Sequence, residues 1–557
     1  MLSSFLYFEG LERMKNMYLP FMAGLLWLMG CITTPREADP FNFKSYQIDG
    51  VKDNLNYVNA SLSPVITVSF TSTVDPGSLE NAVHLYTGGA IVPIKSLTFN
   101  SDSAIRIELV DSLLHITRYT LEVNEQLKSR SGVNLSSSVK ATFITRIDST
   151  DKFRRIPDDS LLTLIQQQTF KYFWDFGHPV SGLARERNTS GDIVTSGGSG
   201  FGVMSILAAI KRGFITRQQG LERLSKMVDF LKNKTKRHHG VYPHWLNGAT
   251  GETIPFSQKD DGGDLVETSY LIAGLLTAKE YFDVQSDSEI NLRKDITEIW
   301  ESVEWDWHTK GSDQVLYWHW SPKYNWEMNH ELRGWNEALI TYILAASSPT
   351  HPISKVTYDK GWARSGAMKN NKSFYNTILP LGPDFGGPLF FAHYTFLGID
   401  PRQLNDAYAN YRTQVVNHTQ INYKYCIDNP KKFNGYSASC WGLTASDTKN
   451  GYDAHSPTND KGVITPTAAL ASLPFTPEPS MTALRFFYYT LGDKLFKQYG
   501  FVDAFNLSEP WFASSFLAID QGPIIVMIEN HRSGMIWEYT MKNKDIQSGL
   551  TKLGFTY

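Results

Sequence analysis

Two patterns of apolar and polar positions divide the chain near residue 150. Between about residues 43 and 146, apolar and polar residues alternate in short segments such as VITVSF (65–70) and AIRIELV (104–110). A period of two is typical of half-buried β-strands, and turn sequences such as DPGS and NSDS separate the segments. The pattern predicts an all-β sandwich of the immunoglobulin type over residues 32–150.

From residue 151 to residue 557 the apolar positions recur with the period of an α-helix instead. At least eight candidate helices alternate with loops rich in glycine, proline and aromatic residues. The pattern predicts an all-α domain over residues 151–557, of the (α/α)6 toroid type, in which inner helices surround a cup. A helical solenoid is the rival, but no short repeat is visible. The clearest helical segments are 159–176, 201–213, 265–282, 335–348 and 466–475.

An apolar segment near the start of the chain has the pattern of an export signal. The segment MKNMYLPFMAGLLWLMGC begins at Met14 with the basic Lys15, and its apolar run is too short to span a membrane. It ends in LMGC, which resembles a bacterial lipobox in which Cys31 is lipidated. We therefore expect residues 1–31 to be a lipoprotein signal peptide. The protein would then be exported and lipid-anchored, in the periplasm or outer membrane of a Gram-negative bacterium; a plain secretory signal is the alternative.

Composition narrows the possible partners. The formal net charge is −3, which gives no reason to expect nucleic acid as a ligand. The 14 Trp and 27 Tyr could form a large aromatic core, or some could be platforms for sugar rings. Cys426 and Cys440 are too few for a disulfide scaffold, although a single bridge between them is possible. No cysteine or histidine spacing resembles a zinc site, so we predict neither a metal nor a cofactor.

The segment KDDGGDLVETSYLIAG (259–274) places four carboxylates at the start of an apolar run. If a helix begins near Gly263, Asp260, Asp264 and Glu267 share one face. An N-cap at Asp260 or Asp261, with Glu267 in the first turn, would explain one or two of them. Capping does not explain all four carboxylates. Crowded carboxylates raise one another's pKa, and glycoside hydrolysis needs one protonated and one ionised carboxyl group.

Three further segments carry candidate residues. In GWNEALITYIL, Glu337 lies beside Trp335, and a glutamate next to tryptophan can be desolvated and act as a general acid. The alternative is a first-turn glutamate stabilised by the helix dipole. The loop at 440–465 and the segment at 519–534 combine aromatic and acidic residues, as sugar-binding loops do, although the acids could equally be turn residues. The candidate substrate-binding residues are Asp447, Trp441, Tyr452, Trp335, Trp318 and Asp520.

Four segments of the chain together resemble one known family. GGSGFGVM, DDGGDLVETSYLIAGLL, WNEALITYILAASSPTHP and CWGLTASD…NGYDAHSP…DKGVITPTAALASLPFTP are similar to the glycoamylase-like domain family, which includes the bacterial β-1,2-glucanases of glycoside hydrolase family 144. The resemblance covers about residues 155–557. It implies an (α/α)6 toroid that cleaves β-1,2-glucan with inversion and without metal, and an extra N-terminal β-domain occurs in some members.

The resemblance also implies roles for individual residues. The family's acidic cluster matches Asp260, Asp264 and Glu267, and its glutamate on a neighbouring helix matches Glu337, which we take as the general acid. The base stays open among Asp264, Glu267 and Asp447. An inverting site needs carboxyl groups roughly 6.5–9.5 Å apart, which argues against Asp264 and Glu267 as the acid–base pair.

The sequence therefore predicts an exported glycoside hydrolase that releases sophorose or short oligosaccharides from β-1,2-glucan. Its expected partners are an oligo- or polysaccharide substrate and the membrane that holds its anchor, and we expect a monomer. A hydrolase of another glucan is the alternative enzyme. A non-catalytic glycan-binding lipoprotein is the alternative from another class, although clustered acids favour the enzyme.

Overall fold

The structure is a computed structural model that describes residues 39–52 and 55–557. The predicted signal peptide, its Cys31 and most of the tether that follows lie outside the described residues. Within them, no helix combines the length and the apolar character needed to cross a bilayer.

The N-terminal part is built from ten strands in two five-stranded sheets. One sheet has the order β2-β1-β4-β8-β7 and the other β3-β10-β9-β5-β6. Their pairs are antiparallel except for β3 and β10, which run parallel. The strands are β1 (Phe43–Ile48), β2 (Val51–Lys52), β3 (Asn56–Ala60), β4 (Ile66–Phe70), β5 (Val83–Thr87), β6 (Ala90–Val92), β7 (Ile94–Ser101), β8 (Ala104–Leu109), β9 (Arg118–Val123) and β10 (Val139–Thr145), with the short helix α1 (Leu79–Ala82) before β5.

The alternation seen in the sequence decides which side chains face the core between these sheets. In β4, Ile66, Val68 and Phe70 are buried and the residues between them are half-buried. Tyr119 of β9 and Phe143 of β10 stack with ring centroids 5.5 Å apart in the same core. The residues of this core form a cluster separate from that of the rest of the chain, as expected for a domain of its own.

Residues 158–553 are mainly helical. Capping side chains mark several helix starts; Thr216, for example, accepts from the Gln219 N–H in a capping box. The helices are α2 (Asp158–Trp174), α3 (Ser196–Lys211), α4 (Arg217–Asn233), α5 (Leu265–Tyr281), α6 (Asp287–Glu301), α7 (Leu339–Ser347), α8 (Lys355–Thr357), α9 (Tyr411–Asp428), α10 (Pro466–Leu470), α11 (Pro477–Arg485), α12 (Gly492–Leu495), α13 (Ala518–Arg532), α14 (Met535–Lys542) and α15 (Lys544–Leu553).

Short strands stiffen the loops between these helices. Most form two-stranded hairpins, and β11, β12 and β13 form a three-stranded sheet. They are β11 (Ile193–Thr195), β12 (Trp245–Asn247), β13 (Thr253–Ile254), β14 (Gly263–Asp264), β15 (His319–Trp320), β16 (Lys369–Phe374), β17 (Thr377–Leu381), β18 (Ala445–Thr448), β19 (Gly451–Ala454), β20 (Phe496–Lys497), β21 (Gly500–Phe501), β22 (Phe505–Asn506) and β23 (Trp511–Phe512).

The helices fall into buried and half-exposed groups. α5 and α7 are apolar all round and buried along nearly their whole length, whereas α4, α6 and α15 bury one face only. α3 packs against α5 and α13, and α5 packs against α7. The buried helices therefore form the interior of the domain, and the amphipathic ones form its outer surface.

Glycine makes the closest of these helix crossings possible. A Cβ atom on Gly200 of α3 would lie 2.2 Å from the carbonyl oxygen of Tyr270, and one on Gly274 of α5 would lie 2.3 Å from the carbonyl oxygen of Gly200. No real side chain tolerates such distances to backbone. The glycine-rich segment at 196–202, expected to lie ahead of a helix, is instead the first two turns of α3, because its glycines let that helix approach α5.

Gly274→Ala should therefore destabilise the helical domain. We expect a loss of about 3 kcal/mol, since neither helix backbone can give way to the added methyl group. Thermal unfolding measures it as a lower midpoint. Gly77→Ala is the matched control, because its Cβ would meet nothing closer than 3.7 Å. Equal midpoints for Gly274→Ala and the parent would refute this account of the crossing.

The two domains are fixed to each other by specific contacts. His115 Nε2 of the β-domain lies 2.9 Å from Asp493 Oδ2 of the helical domain, and just after the β-domain the Lys152 N–H donates to the Tyr489 carbonyl oxygen over 2.6 Å. Ile116 of the β-domain is only 3% exposed and belongs to the core cluster of the helical domain. The β-domain is thus anchored by a buried side chain as well as by polar contacts.

Some expectations about the helical region need correction. α7 begins at Leu339, so Glu337 precedes the helix and does not lie in its first turn. α3 begins at Ser196, five residues before the expected start. Cys426 and Cys440 are both free thiols buried in the core, so the possible disulfide bridge is not formed.

Candidate active site

Asp264 is the most heavily bonded carboxylate of the 259–274 segment. It is the N-cap of α5: its Oδ1 accepts from the N–H groups of Val266 and Glu267 over 3.0 and 2.9 Å. The same oxygen accepts from Trp318 Nε1 over 2.8 Å, and His244 Nδ1 lies 3.0 Å from Oδ2. The capping residue is therefore Asp264, and not Asp260 or Asp261.

The fully buried Asp264 is nevertheless ionised. Burial alone would raise its pKa, but the hydrogen bond from His244 and the neighbouring His319 hold it below its usual range. Burial alone would likewise lower the pKa of His244, but the charge of Glu267 and the bond to Asp264 raise it to about 9. The two residues form a buried ion pair at the N-terminus of α5.

Glu267 is held by the start of α3. Its Oε2 accepts from the Gly197 N–H over 2.8 Å and from Thr195 Oγ1 over 3.3 Å. A Cβ atom on Gly197 would lie 2.4 Å from that oxygen, so only glycine allows this contact. Burial raises the pKa of Glu267, and the adjacent charge of Asp264 acts in the same direction. The glycine-rich segment thus shapes one wall of the site.

Asp260 completes this acidic group. Its Oδ2 lies 3.4 Å from His319 Nε2, and burial together with the charge of Asp264 raises its pKa to about 7. His244, Asp260 and Asp264 bring possible ligand atoms within 4.8 Å of one another, which makes them the group that could hold a cation. In this structure His244 Nδ1 bonds to Asp264 Oδ2, and His319 Nε2 lies 3.4 Å from Asp260 Oδ2 and 3.7 Å from Asp264 Oδ2.

Glu337 lies in a fixed turn before α7. The Ala338 N–H donates to Asn336 Oδ1 over 2.9 Å, and Thr395 Oγ1 donates to the Glu337 carbonyl oxygen over 3.1 Å. Its side chain is half-buried, and burial raises its pKa to about 7, with a smaller contribution from the charge of Glu267. The buried hydroxyl of Tyr270 has no hydrogen-bond partner and lies in the same electrostatic neighbourhood. Glu337 is therefore a carboxyl group that titrates near neutral pH.

A second acidic group comes from distant parts of the chain. Asp447 accepts from Arg187 Nη1 over 3.1 Å and from Ser515 Oγ over 2.5 Å, and its own N–H donates to Asp503 Oδ2 over 2.7 Å. Burial and the charge of Asp447 raise the pKa of Asp503 to about 7. Burial and the charge of Asp503 raise the pKa of Asp520 well above its usual range, so these two carboxyl groups share a proton.

A cavity of about 360 Å³ is lined by residues that bond to both acidic groups. Thr195 and His244, which bond to Glu267 and Asp264, line one side, and Arg187, which bonds to Asp447, lines the other. The aromatic rings of Trp245, Phe256 and Tyr452 and the carboxyl group of Glu186 form most of the remaining wall. His244 stacks on Phe256 with centroids 4.2 Å apart. A cavity with aromatic walls, a lining glutamate and polar wall residues that bond to further carboxylates is suited to a carbohydrate.

The predicted aromatic binding residues divide into two kinds. Tyr452 is 51% exposed and lines the cavity, as expected for a sugar platform. Trp318 is half-buried and orients Asp264 through its indole N–H. Trp441 has no exposed surface and donates its indole N–H to the Pro479 carbonyl oxygen, and Trp335 is 4% exposed among core side chains. The prediction that Trp441 and Trp335 bind substrate is corrected, because no sugar ring can reach them.

Several residues of the site carried no recognised signal in the sequence. His244 stands in YPHWLN next to Trp245, and His319 stands in the aromatic cluster YWHW. Both clusters are aromatic enough to attract attention, but nothing in them shows that the histidines meet Asp264. Arg187 and Asp503 have no motif at all. Only the fold identifies them, because both bond to Asp447: Arg187 from 260 positions away and Asp503 from 56 positions away.

Comparisons with known proteins agree with this architecture. The Glycoamylase family model, described as "Putative glucoamylase", matches residues 329–544. The model of the bacterial Ig-like domain matches residues 52–145, so the predicted immunoglobulin-type domain is confirmed. The crystal structure of an endo-β-1,2-glucanase from Chitinophaga pinensis, complexed with sophorotriose and glucose, is 50% identical, and the match covers 72% of this chain and 99% of that one with a TM-score of 0.71. The chain belongs to the glycoamylase-like family.

Two further known proteins are similar to this chain. An exo β-1,2-glucooligosaccharide sophorohydrolase (non-reducing end) of Parabacteroides distasonis is 44% identical over 419 residues, or 71% of this chain. The match spans only 58% of that curated relative's length. The crystal structure of a β-1,2-glucanase from the same species is 35% identical, with a TM-score of 0.70, over 93% of this chain and 73% of that chain. The glycoamylase-like relatives thus include both endo- and exo-acting enzymes.

Proposed function

We propose that the protein is a glycoside hydrolase that cleaves β-1,2-glucan and releases sophorose or short β-1,2-glucooligosaccharides. The observation that carries the proposal is a cavity whose wall residues bond to two groups of carboxylates, together with Glu337, a glutamate near the first group whose pKa lies near neutral pH. The β-1,2-linkage follows from the names of the relatives, which act on β-1,2-glucan or its oligosaccharides.

Glu337 is the proposed general acid. Burial keeps its carboxyl protonated up to about pH 7, and its half-buried side chain remains open on one side. Asp264 is less suited to either catalytic role, because hydrogen bonds occupy both of its oxygens. Its proposed role, together with Glu267, is to position His244 and the sugar hydroxyl groups.

The proposed general base is Asp447. It forms an ion pair with Arg187 over 3.1 Å, and the side chain of Arg187 lines the cavity. In an inverting reaction, a water molecule would lie between Asp447 and the sugar, and Glu337 would act on the leaving oxygen. Proton NMR of the first product formed would show the α-anomer for inversion and the β-anomer for retention.

The activity should fall as the pH rises through about 7. The acid must be protonated in order to donate, so kcat/KM is expected to fall about tenfold per pH unit above the pKa of Glu337. A pH profile with linear β-1,2-glucan measures this, provided that activity returns when the enzyme is brought back to pH 6.

Asp260 also has a pKa near 7 and provides the control for that assignment. Asp260→Asn should reduce the rate at every pH but keep the alkaline fall. A variant that loses the fall would assign it to Asp260, and a profile that stays flat to pH 9 would exclude Glu337 as the acid.

We also propose that the helical domain closes into the (α/α)6 toroid that the sequence predicts. Supporting this, α7 packs on α5, α5 on α3, α3 on α13 and α13 on α10. A segment at 389–397, made of short 3-10 helices, fills the remaining place. Its Thr395 bonds to Ile340 of α7 and its His393 bonds to Ser472 just after α10. Six inner elements would then surround the acidic groups.

Export and lipidation at Cys31 belong to the same proposal. The lipobox-like LMGC sequence supports them. A Cys31→Ala variant should not incorporate radiolabelled palmitate in cells, whereas the parent should, and it should leave the membrane fraction. Equal labelling of both would contradict the assignment.

One experiment tests the central proposal. The purified protein is incubated with linear β-1,2-glucan, and the products are separated by chromatography. Release of sophorose or a ladder of oligosaccharides supports the proposal, and the first products distinguish exo from endo action. Cleavage of an α-1,4- or β-1,3-glucan instead would support the other hydrolase, and binding of β-1,2-glucan without any product would support the glycan-binding lipoprotein.

A further inference from the structure

Two further cavities lie beyond the one at the candidate active site. The second, of about 330 Å³, lies between the β18–β19 and β22–β23 hairpins, with Asp453, Asn506 and Trp511 in its wall. The third, of about 490 Å³, lies between the two domains, where Tyr86 and Arg118 of the β-domain face Lys494 and Phe512 of the helical domain. Neither contains any of the residues assigned above as acid or base.

The three cavities are neighbours that share wall residues. Tyr452 lines both the active-site cavity and the second cavity. Glu509, at the tip of the hairpin 505–512, lines both the second and the third. The three cavities therefore form a row that leads from the active-site cavity, past Tyr452 and over Glu509, to the β-domain. We call this row the distal groove.

The hairpin in the middle of the distal groove is held in shape. Its strands pair at Asn506 and Trp511, and Asn506 Oδ1 accepts from the N–H groups of Ser508 and Glu509 over 2.9 and 3.1 Å. Asn506 Nδ2 also donates to the Lys461 carbonyl oxygen over 3.1 Å. The loop that carries Glu509 and Trp511 is thus fixed to the helical domain.

The β-domain side is equally fixed. The Thr87 hydroxyl donates to the Arg118 carbonyl oxygen over 3.0 Å, which ties the β5–β6 turn to β9. The His115–Asp493 contact and the buried Ile116 lie next to this surface and hold the two domains together. Tyr86 and Arg118 therefore line the third cavity together with Lys494 and Phe512 of the helical domain.

The side chains of the distal groove fit a polar, uncharged polymer with apolar ring faces. Tyrosine and tryptophan rings offer stacking surfaces, and asparagine, aspartate and arginine offer hydrogen bonds to hydroxyl groups. Acidic and basic residues alternate along it, and Lys449 pairs with Glu509 over 3.7 Å, so no strong field of one sign favours a charged ligand. A glucan chain that leaves the active site matches this chemistry.

We propose that the β-domain extends the substrate site: Tyr86 and Arg118 bind glucosyl residues of a long β-1,2-glucan whose other part lies at the carboxylates. This rests on the proposed function, since it assigns the distal groove to the same polymer. This binding would give the β-domain a role in selecting long glucan substrates over short ones. Short oligosaccharides would fill the active-site cavity and would not reach the β-domain.

The test compares long linear β-1,2-glucan with the shortest β-1,2-glucooligosaccharide that the protein cleaves. Tyr86→Ala and Arg118→Ala should each lower kcat/KM for the long polymer about tenfold, the loss expected when one good contact is removed. The value for the short substrate should stay within twofold of the parent. Phe99→Ala is the matched control: Phe99 lies on the other sheet of the β-domain and is 39% exposed. It should change neither value.

Each outcome decides something. Losses confined to the long polymer support the inference. Unchanged values on both substrates, or equal losses on both, overturn it and leave the proposed hydrolase intact. A parent protein that cleaves neither substrate overturns the proposed function, and with it the inference.

Discussion

Glu337→Gln should lower kcat on β-1,2-glucan by about 10³-fold while the protein stays folded. Glutamine has the shape of the protonated glutamate but cannot donate a proton to the leaving oxygen, and general acid catalysis contributes roughly 10²- to 10⁴-fold. At pH 6 the native carboxyl is already largely neutral, because burial raises its pKa to about 7. The substitution therefore removes no charge on which folding depends, and the thermal midpoint should stay within about 2 °C.

Two measurements make this result specific to acid catalysis. An aryl β-sophoroside with a good leaving group needs little protonation, so the defect of Glu337→Gln should shrink at least tenfold on it. Glu538→Gln is the matched control, since Glu538 is exposed on α14 and forms a surface ion pair with Lys542. Near-normal turnover of β-1,2-glucan by Glu337→Gln would exclude Glu337 as the acid. An equal defect on both substrates would assign it to binding.

Asp264→Ala should affect both stability and activity. The change removes the N-cap of α5 and leaves the half-buried His244 without the carboxylate it pairs with. Breaking a buried ion pair from one side costs about 3–5 kcal/mol. We expect the denaturation midpoint of the helical domain to fall accordingly, and hydrolysis to be undetectable even where the variant is folded.

Asp264→Asn separates the two contributions. Its amide oxygen can still accept from Val266 and Glu267, so most of the cap should survive, whereas the ion pair with His244 is lost. We expect a smaller loss of stability with activity still abolished. A stable Asp264→Ala variant, within about 1 kcal/mol of the parent, would contradict the bonding described here.

The same pair predicts a pH dependence of stability. The pKa of His244 is raised to about 9 in the folded protein, above its unfolded value of about 6.5. Its contribution is therefore complete below about pH 6.5, declines as the pH rises, and is gone above about pH 9. Chemical denaturation at pH 6 and pH 9 should show this loss in the parent, and Asp264→Asn should reduce it.

Local patterns were enough to predict most of the architecture. The period of two in the first part and the helical period in the second identified both domains, because the period decides which side chains can face a common core. The carboxylates of the 259–274 segment and Glu337 stood out because acids beside strongly apolar runs are costly to bury without a role. These features depend on neighbours in the sequence.

Other features depend on residues far apart in the chain. Sequence spacing suggested Asp260 or Asp261 as the N-cap, but β14 pairs with β15 and brings Trp318 and His319 to the carboxylates, so the helix starts one residue after Asp264. Likewise Trp441 and Tyr452 look alike as aromatic residues of one loop. Only packing makes the first a core residue and the second a wall of the cavity.

The sequence by itself determined the two domains, the resemblance to the glycoamylase-like family and the first group of acids. The tertiary structure alone decided the second group, in which Arg187, Asp447, Asp503 and Asp520 meet. It also placed three neighbouring cavities between Tyr452 and Tyr86 of the β-domain. The physical reason is that burial and long-range charge pairing set the pKa of each carboxyl group, and neither can be read from adjacent residues.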